Sequence, residues 1–423
     1  MEKKKYLIIG AGISGLTVAN YLKDEDYIIV EKEKEIGGFC RTFREDNYVW
    51  DFAGHFFHFK TDEMKNLFME KMKDEELVYQ EKNTKIFYKG RMINYPFQMN
   101  IHQLQKDEFI DCLYDLYNKV EKENYDNFLD MLYGKFGKSI TEKFLKPYNE
   151  KLYACNLKTL DKDAMGRFFP YANISQIINN MKENKNNSYN NTFMYPKRGA
   201  VAFLEKLYEA IDKSKVRLNT EIKNIDVSNK MVTLVDGTEI IYEYLINTSP
   251  LNTFLKLMRN EYSSISEELS YNQVLVFNLG FEKNSENKEH WIYFPDESLN
   301  FYRVGFYNNI LNEDKMSLYV EIGYSKNDKI DIEEQLKITL ENLKRVGIIK
   351  DNKLVKYNSV IMNPAYVHIN TDNMVKLEKA KKELEKNNIY TIGRYGDWTY
   401  CSMEDCMISA KELVQNIKGK EEE

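Results

Sequence analysis

An α/β fold is what the sequence predicts, combining a domain organised around a glycine-rich turn, an inserted helical domain and an antiparallel β-sheet domain. Three observations carry that expectation. Residues 6–9 are apolar and run into glycines, Leu16, Ala19, Asn20 and Leu22 follow at helical spacing, and residues 27–30 are apolar again, which reads as strand, helix, strand. From about 107 to 153 the pattern is helical, with Phe109, Leu113, Leu116 and Val120, then Phe128, Leu129, Leu132 and Phe136, on repeating faces. From about 274 to 362 the stretches VLVFNLGF, FYRVGFY and MSLYVEIGY read as an antiparallel sheet interrupted by a helix near 332–345.

The first turn is the most informative. Gly10-Ala11-Gly12-Ile13-Ser14-Gly15 fits G-x-G-x-x-G between a strand and a helix, where glycines let backbone N–H groups and the helix N-terminus approach a pyrophosphate. Glu31 ends the second strand, 21 residues after Gly10, where an acid can bind a ribose hydroxyl pair. The segment KEKEIGGFCRTF follows. In it Gly37 and Gly38 permit close passage of a second loop and Arg41 supplies a cation, which favours FAD over NAD and makes this a Rossmann-type FAD-binding domain. For Arg41 the competing reading is a solvent-facing surface charge.

Along the chain, the expected organisation is an FAD-binding domain at 1–98, a helical insert at 99–182, a second FAD-binding segment at 183–262, an antiparallel sheet domain for substrate at 263–385, and a third FAD-binding segment with the tail at 386–423. The polar run ENKNNSYNN at 183–191 reads as a loop, and Asp236-Gly237 as the turn of a hairpin. The last element reads as a helix over 403–417 with a solvated KGKEEE tail.

Bulk properties narrow the class. At 423 residues the chain is long enough for two or three cores. Sixty Lys plus Arg against 66 Asp plus Glu give a net charge of −6, which excludes a general nucleic-acid binder and makes any anion site local. Five cysteines without metal-type spacing favour free thiols in a reducing compartment, so a cytoplasmic protein is expected. No apolar stretch approaches the ~18 residues that span a bilayer. In DFAGHFFHF, residues 51–59, His55 and His58 lack a third ligand at convincing spacing, and no metal site is expected.

Beyond the fingerprint, the E-x-x-x-x-x-G-G pattern after the second strand resembles the amine-oxidase-like flavoproteins. Longer motifs resemble the UDP-galactopyranose mutases within that superfamily, particularly the eukaryotic-type branch: YPFQ at 95–98, FLKPYNEKLYA at 144–154, WIYFPDESLNFYRVGF at 291–306 and IGRYGDWTY at 392–400. They occur in family order and the resemblance spans residues 6 to about 417.

That resemblance implies a non-redox flavoenzyme interconverting a UDP-hexopyranose and a UDP-hexofuranose, UDP-galactose foremost, with N5 of reduced FAD as the nucleophile. Arg303 and Arg394 would grip the diphosphate, Arg167 and His55 would lie near flavin and sugar, and Tyr366 and Tyr400 would donate hydroxyls. Tyr95, Gln98, Asn149, Tyr153 and Tyr293 would line the uridine and sugar pocket. Cofactor contacts would come from Gly10, Gly12, Ser14, Gly15, Glu31, Lys32, Gly38, Arg41, Gly54, Gly393, Arg394 and Met403. The implied partners are a UDP-sugar and a reductant such as NAD(P)H, with a homo-oligomer admitted. For each arginine a structural salt bridge is the bland alternative. The chain departs from the family in CSMEDCM at 401–407, in Tyr153 where tryptophan is usual, and in Ala53 in place of glycine. An oxidase or desaturase of the amine or porphyrinogen type is the rival reading, and a flavin-binding scaffold a third.

Overall fold

The computed structural model describes residues 1–183, 191–258 and 261–422, so most of the Asn-rich run expected as a loop, 184–190, lies outside the described residues. The strand Glu2–Ile9 is the centre of a seven-stranded sheet. It pairs in parallel with Tyr27–Val30 on one side and with Glu239–Asn247 on the other, and the latter strand pairs in parallel with Ile389–Thr391. Beginning, middle and end of the chain therefore build one sheet. Its apolar strands are buried on both faces, as parallel strands covered by helices are. The antiparallel hairpin turning at Asp236-Gly237 extends this sheet, with Met231–Leu234 paired to Glu239–Asn247.

A second seven-stranded sheet runs, in spatial order, Leu354–Met362, Asn272–Phe281, Ser317–Ser325, Arg303–Phe306, Trp291–Tyr293, Thr84–Tyr88 and Arg91–Asn94. All ten residues of Asn272–Phe281 are buried, which is unusual for an antiparallel strand. The cause is cover on both faces. Leu275, Phe277, Leu279 and Phe281 enter a core beneath the helix Ile332–Arg345, whereas Val274 and Val276 enter the core shared with the first sheet. Thr84–Tyr88 and Arg91–Asn94 come from the 1–98 segment, yet they hydrogen-bond into this second sheet, Thr84–Tyr88 lying parallel to Trp291–Tyr293.

The helical stretch forms as Lys106–Tyr117, Phe128–Ile140 and Lys146–Tyr153, with a wider turn at Thr141–Leu145 between the last two. The final helix exceeds its expected length: it spans Met403–Glu422, so the KGKEEE tail is helical through Glu422. Its end is held because the Glu421 carboxylate accepts hydrogen bonds from Lys5 Nζ at 2.9 Å and Tyr6 Oη at 3.1 Å. Among the described residues no helix is long and apolar enough to cross a membrane.

Candidate functional site

Two features make the first turn a cradle. Gly10 adopts φ 100°, and a Cβ on Gly15 would stand 2.0 Å from the Gly10 carbonyl oxygen, so helix and strand can approach this closely only without that side chain. The helix Ile13–Tyr21 starts at Gly12 with no side-chain cap, which leaves its first N–H groups free for an anion. Glu31 is buried and fixes the loop: its Oε2 accepts from Ala11 N at 2.7 Å and its Oε1 from Glu33 N at 2.9 Å. Each oxygen keeps a lone pair for a ribose hydroxyl. Gly38 passes beside Gly12, Ser14 is buried against Gly393, and Met403 opens the last helix at the same end of the sheet. Backbone, acid and helix terminus fit a dinucleotide.

Two expected cofactor cations are placed otherwise. Arg41 Nη1 faces Glu33 and Glu35 at 3.4 and 3.3 Å, and its guanidinium lies over the Phe52 ring, so its charge is already matched by surface carboxylates. Lys32 is exposed, with Nζ 3.9 Å from a Glu33 carboxylate oxygen.

Across from the cradle, the second sheet presents a tyrosine-rich wall that includes Tyr293 and Tyr319. Arg303 and Glu321 are register partners on adjacent strands, and Arg303 Nε donates to Glu321 Oε2 at 2.9 Å while Nη2 donates to Oε1. Burial opposes the Arg303 charge, and Glu321 more than restores it, holding the guanidinium ionised. The pair is internally neutral. Arg394 has no carboxylate partner of this kind: Nη1 donates to the Cys401 carbonyl at 3.0 Å, and the guanidinium lies 4.5 Å from the Tyr400 ring centre and 5.3 Å from that of Tyr366. Tyr366 and Tyr400 stack at 5.9 Å, and Tyr366 senses both arginines. Arg303 and Arg394 thus face one volume.

His55 borders that volume. Its Nδ1 lies 2.8 Å from the Ala53 carbonyl and acts as the donor, leaving Nε2 as an acceptor; burial lowers its pKa to about 4, so the ring is neutral above that pH. Gly54 beside it packs on the Tyr319 hydroxyl. Tyr95 and Tyr293 sit with ring centres 5.1 Å apart, and Trp291 Nε1 donates to the Tyr293 hydroxyl at 3.0 Å.

Other expected ligand residues are enclosed. Gln98, Asn149 and Tyr153 are 0%, 2% and 1% exposed, and Gln98 Oε1, Asn149 Oδ1 and the Tyr153 hydroxyl are buried without a hydrogen-bond partner among the described residues. Gln98 donates to the Pro170 carbonyl, Asn149 to the Leu145 carbonyl at 2.6 Å, and Tyr153 meets Tyr366 edge-on at 5.8 Å. The Arg167 guanidinium is ion-paired with Asp405 at 2.5 Å and ties the turn Gly166–Phe168 to the first turn of the last helix.

Sequence reasoning missed Lys82, Tyr319 and Glu321. Lys82 Nζ lies 5.0 Å from the Tyr95 ring centre and 5.6 Å from that of Trp291, and burial, with Arg303 nearby, lowers its pKa to about 8. In the sequence it stands between Glu81 and Asn83, which reads as a surface turn. Glu321 and Tyr319 lie in an apolar strand, where an alternating acid would have been the only signal.

Cradle, sheet and cavity define a flavoprotein of the two-sheet kind. Residues 13–418 match the family described as flavin containing amine oxidoreductase, and the chain belongs to that family, with FAD as its cofactor. It is an enzyme of the FAD oxidoreductase superfamily. A crystal structure of reduced UDP-galactopyranose mutase superposes with a TM-score of 0.92 at 24% identity, covering 98% of this chain and 96% of that one. A putative protoporphyrinogen oxidase from Exiguobacterium sp. 255-15 superposes with a TM-score of 0.79 at 17% identity, covering 99% of each chain. Coproporphyrinogen III oxidase of Staphylococcus aureus (strain NCTC 8325 / PS 47) is 24% identical over 290 residues, 60% of this chain and 62% of that protein, so the chain spans about three-fifths of the curated relative it matches.

Proposed function

We propose that the protein is a sugar-nucleotide mutase that interconverts a UDP-hexopyranose and its furanose, UDP-galactose first among them, with FAD kept reduced by a donor such as NAD(P)H. The observation that carries this reading is Arg394, a half-buried cation without a carboxylate partner among the described residues, lying against Tyr366 and Tyr400 and facing Arg303 across one volume. The fold likeness to reduced UDP-galactopyranose mutase supports it.

When bound, reduced flavin supplies a nucleophile for the anomeric carbon. The chain's own residues manage the leaving group. Arg394 and Lys82 offer the net positive charge for a departing diphosphate, and in this water-poor setting each charge-assisted hydrogen bond is strong and geometrically fixed. Arg303, neutralised and aimed by Glu321, contributes a donor rather than net charge. The stacked Tyr366 and Tyr400 rings both lie against the Arg394 guanidinium and hold it in place. Neutral His55 presents Nε2 as an acceptor for a sugar hydroxyl. Gln98 Oε1, Asn149 Oδ1 and the Tyr153 hydroxyl, buried without a partner among the described residues, are available to the uridine and sugar. No proton relay is required, which fits the lack of paired free carboxylates there.

A porphyrinogen oxidation is the second reading, favoured by the similarity to the S. aureus coproporphyrinogen III oxidase. Incubation of dithionite-reduced protein with UDP-galactopyranose and other UDP-hexoses, followed by chromatography, tests both. Furanose product is expected; no conversion of any sugar nucleotide, together with rapid flavin reduction by coproporphyrinogen III, overturns the mutase in favour of the oxidase.

A further inference from the structure

At the start of the last helix, two sulfurs meet. Cys401 Sγ lies 3.7 Å from Cys406 Sγ, about 1.7 Å beyond disulfide bonding distance. Cys401 is half-buried in the turn before the helix, whereas Cys406 is buried in the first turn of Met403–Glu422. The two thiols differ in chemistry. Cys406 is made the more acidic by the Cys401 S–H donating to it, by the Arg394 backbone N–H and Ser14 hydroxyl, and by the Arg394 charge. Cys40, nearby, is pushed up by burial and lies against Met403 Sδ at 3.7 Å, so it remains a thiol. A reachable sulfur beside a buried, thiolate-favouring one is the arrangement of an exchanging pair.

We propose that Cys401 and Cys406 form a redox-active dithiol that closes to a disulfide in exchange with small external disulfides, and that closure withdraws the carbonyl that positions Arg394. In the singly protonated pair, the Cys406 thiolate takes the Cys401 proton as Cys401 Sγ attacks one sulfur of the external disulfide, and the first thiolate released takes that proton from Cys406 and leaves as a thiol. The Cys406 thiolate then attacks Cys401 Sγ and displaces the second as thiolate. One S–S bond breaks and one forms, the two cysteines are oxidised by two electrons, and the external disulfide is reduced. A dithiol reductant reverses the exchange. The coupling is geometric, because Arg394 Nη1 is held at 3.0 Å by the carbonyl of Cys401 itself. Drawing that residue toward the helix moves the acceptor. The dithiol stands on the sulfur geometry alone, while its effect on ligand rests on the sugar-nucleotide reading.

The test uses FAD-loaded full-length protein treated with glutathione disulfide or with a phosphine reductant. Oxidation is expected to remove two titratable thiols, lower the intact mass by 2 Da, and give one peptide linking Cys401 to Cys406. UDP affinity, read by calorimetry, is expected to fall at least about fivefold on oxidation, to recover on reduction, and to show no oxidant response in Cys406→Ser. Mixed glutathione adducts without loss of 2 Da, or a link through Cys40, overturn the pair. A formed disulfide with unchanged UDP affinity overturns the coupling. Failure of both forms to bind UDP overturns the sugar-nucleotide reading and with it the proposed coupling, and the thiol count and mass still decide the dithiol.

Discussion

Arg303 and Glu321 stand directly opposite each other on neighbouring antiparallel strands, with Nε and Oε2 2.9 Å apart and Glu321 only 1% exposed. A buried pair of this kind is costly to break on one side only, because the survivor is left as an uncompensated charge. Glu321→Ala is therefore expected to destabilise the protein by about 3–5 kcal/mol in chemical denaturation. A loss under 1 kcal/mol would mean that water reaches and solvates Arg303.

Removing the cation instead tests the ligand role. Arg303→Ala is expected to weaken UDP binding, read from the perturbation of the flavin spectrum, while the FAD-to-protein absorbance ratio stays that of the parent. Loss of FAD would assign this arginine to the cofactor.

Lys82 gives the cavity a pH dependence. Its amine is charged below about 8 and neutral above, so its contribution to anion affinity is present at low pH and disappears as pH rises through that value. UDP affinity is expected to fall by up to roughly tenfold between pH 7 and 9, as the charge-assisted hydrogen bond, worth about 1.5–3 kcal/mol, is lost with the amine's charge. In Lys82→Gln that part of the profile should flatten at the weaker level. A parent-like slope in the variant would place the titration elsewhere.

The cradle can be closed without touching a polar group. A methyl at residue 15 would lie 2.0 Å from the Gly10 carbonyl oxygen, inside any tolerable contact, so strand and helix would have to separate. Gly15→Ala is expected to purify largely without FAD while retaining most of its far-ultraviolet circular dichroism. Normal flavin content would show that the helix can shift without cost.

How much of this was legible in the sequence depended on the range of the interaction. The cradle reads well because strand, turn, helix and acid lie within residues 6–31, and local backbone demands select glycine at Gly10 and Gly15. The long pattern of the second sheet was also readable. Its membership was not, because nothing in TKIFY at 84–88 says that its neighbour is WIY at 291–293. Charge placement failed for the same reason. Arg41, Arg167 and Arg303 all carry the expected charge, but carboxylates distant in sequence or on adjacent turns decide where it is spent. Lys82, flanked by Glu81 and Asn83, resembles any surface lysine until the fold turns it inward.

The parallel pairing of Thr84–Tyr88 with Trp291–Tyr293 has a mechanical corollary. A strand from the chain's first hundred residues is stitched into the other sheet's ladder, one place in from its edge, so swinging one sheet away from the other would tear hydrogen bonds and expose the packed rings beside them. Large hinge-like opening is thereby disfavoured, and entry of a bulky nucleotide falls to the rim, where Phe168 meets Tyr400 edge-on at 5.2 Å and Arg167 latches onto Asp405. That latch, rather than a jaw between sheets, is the door.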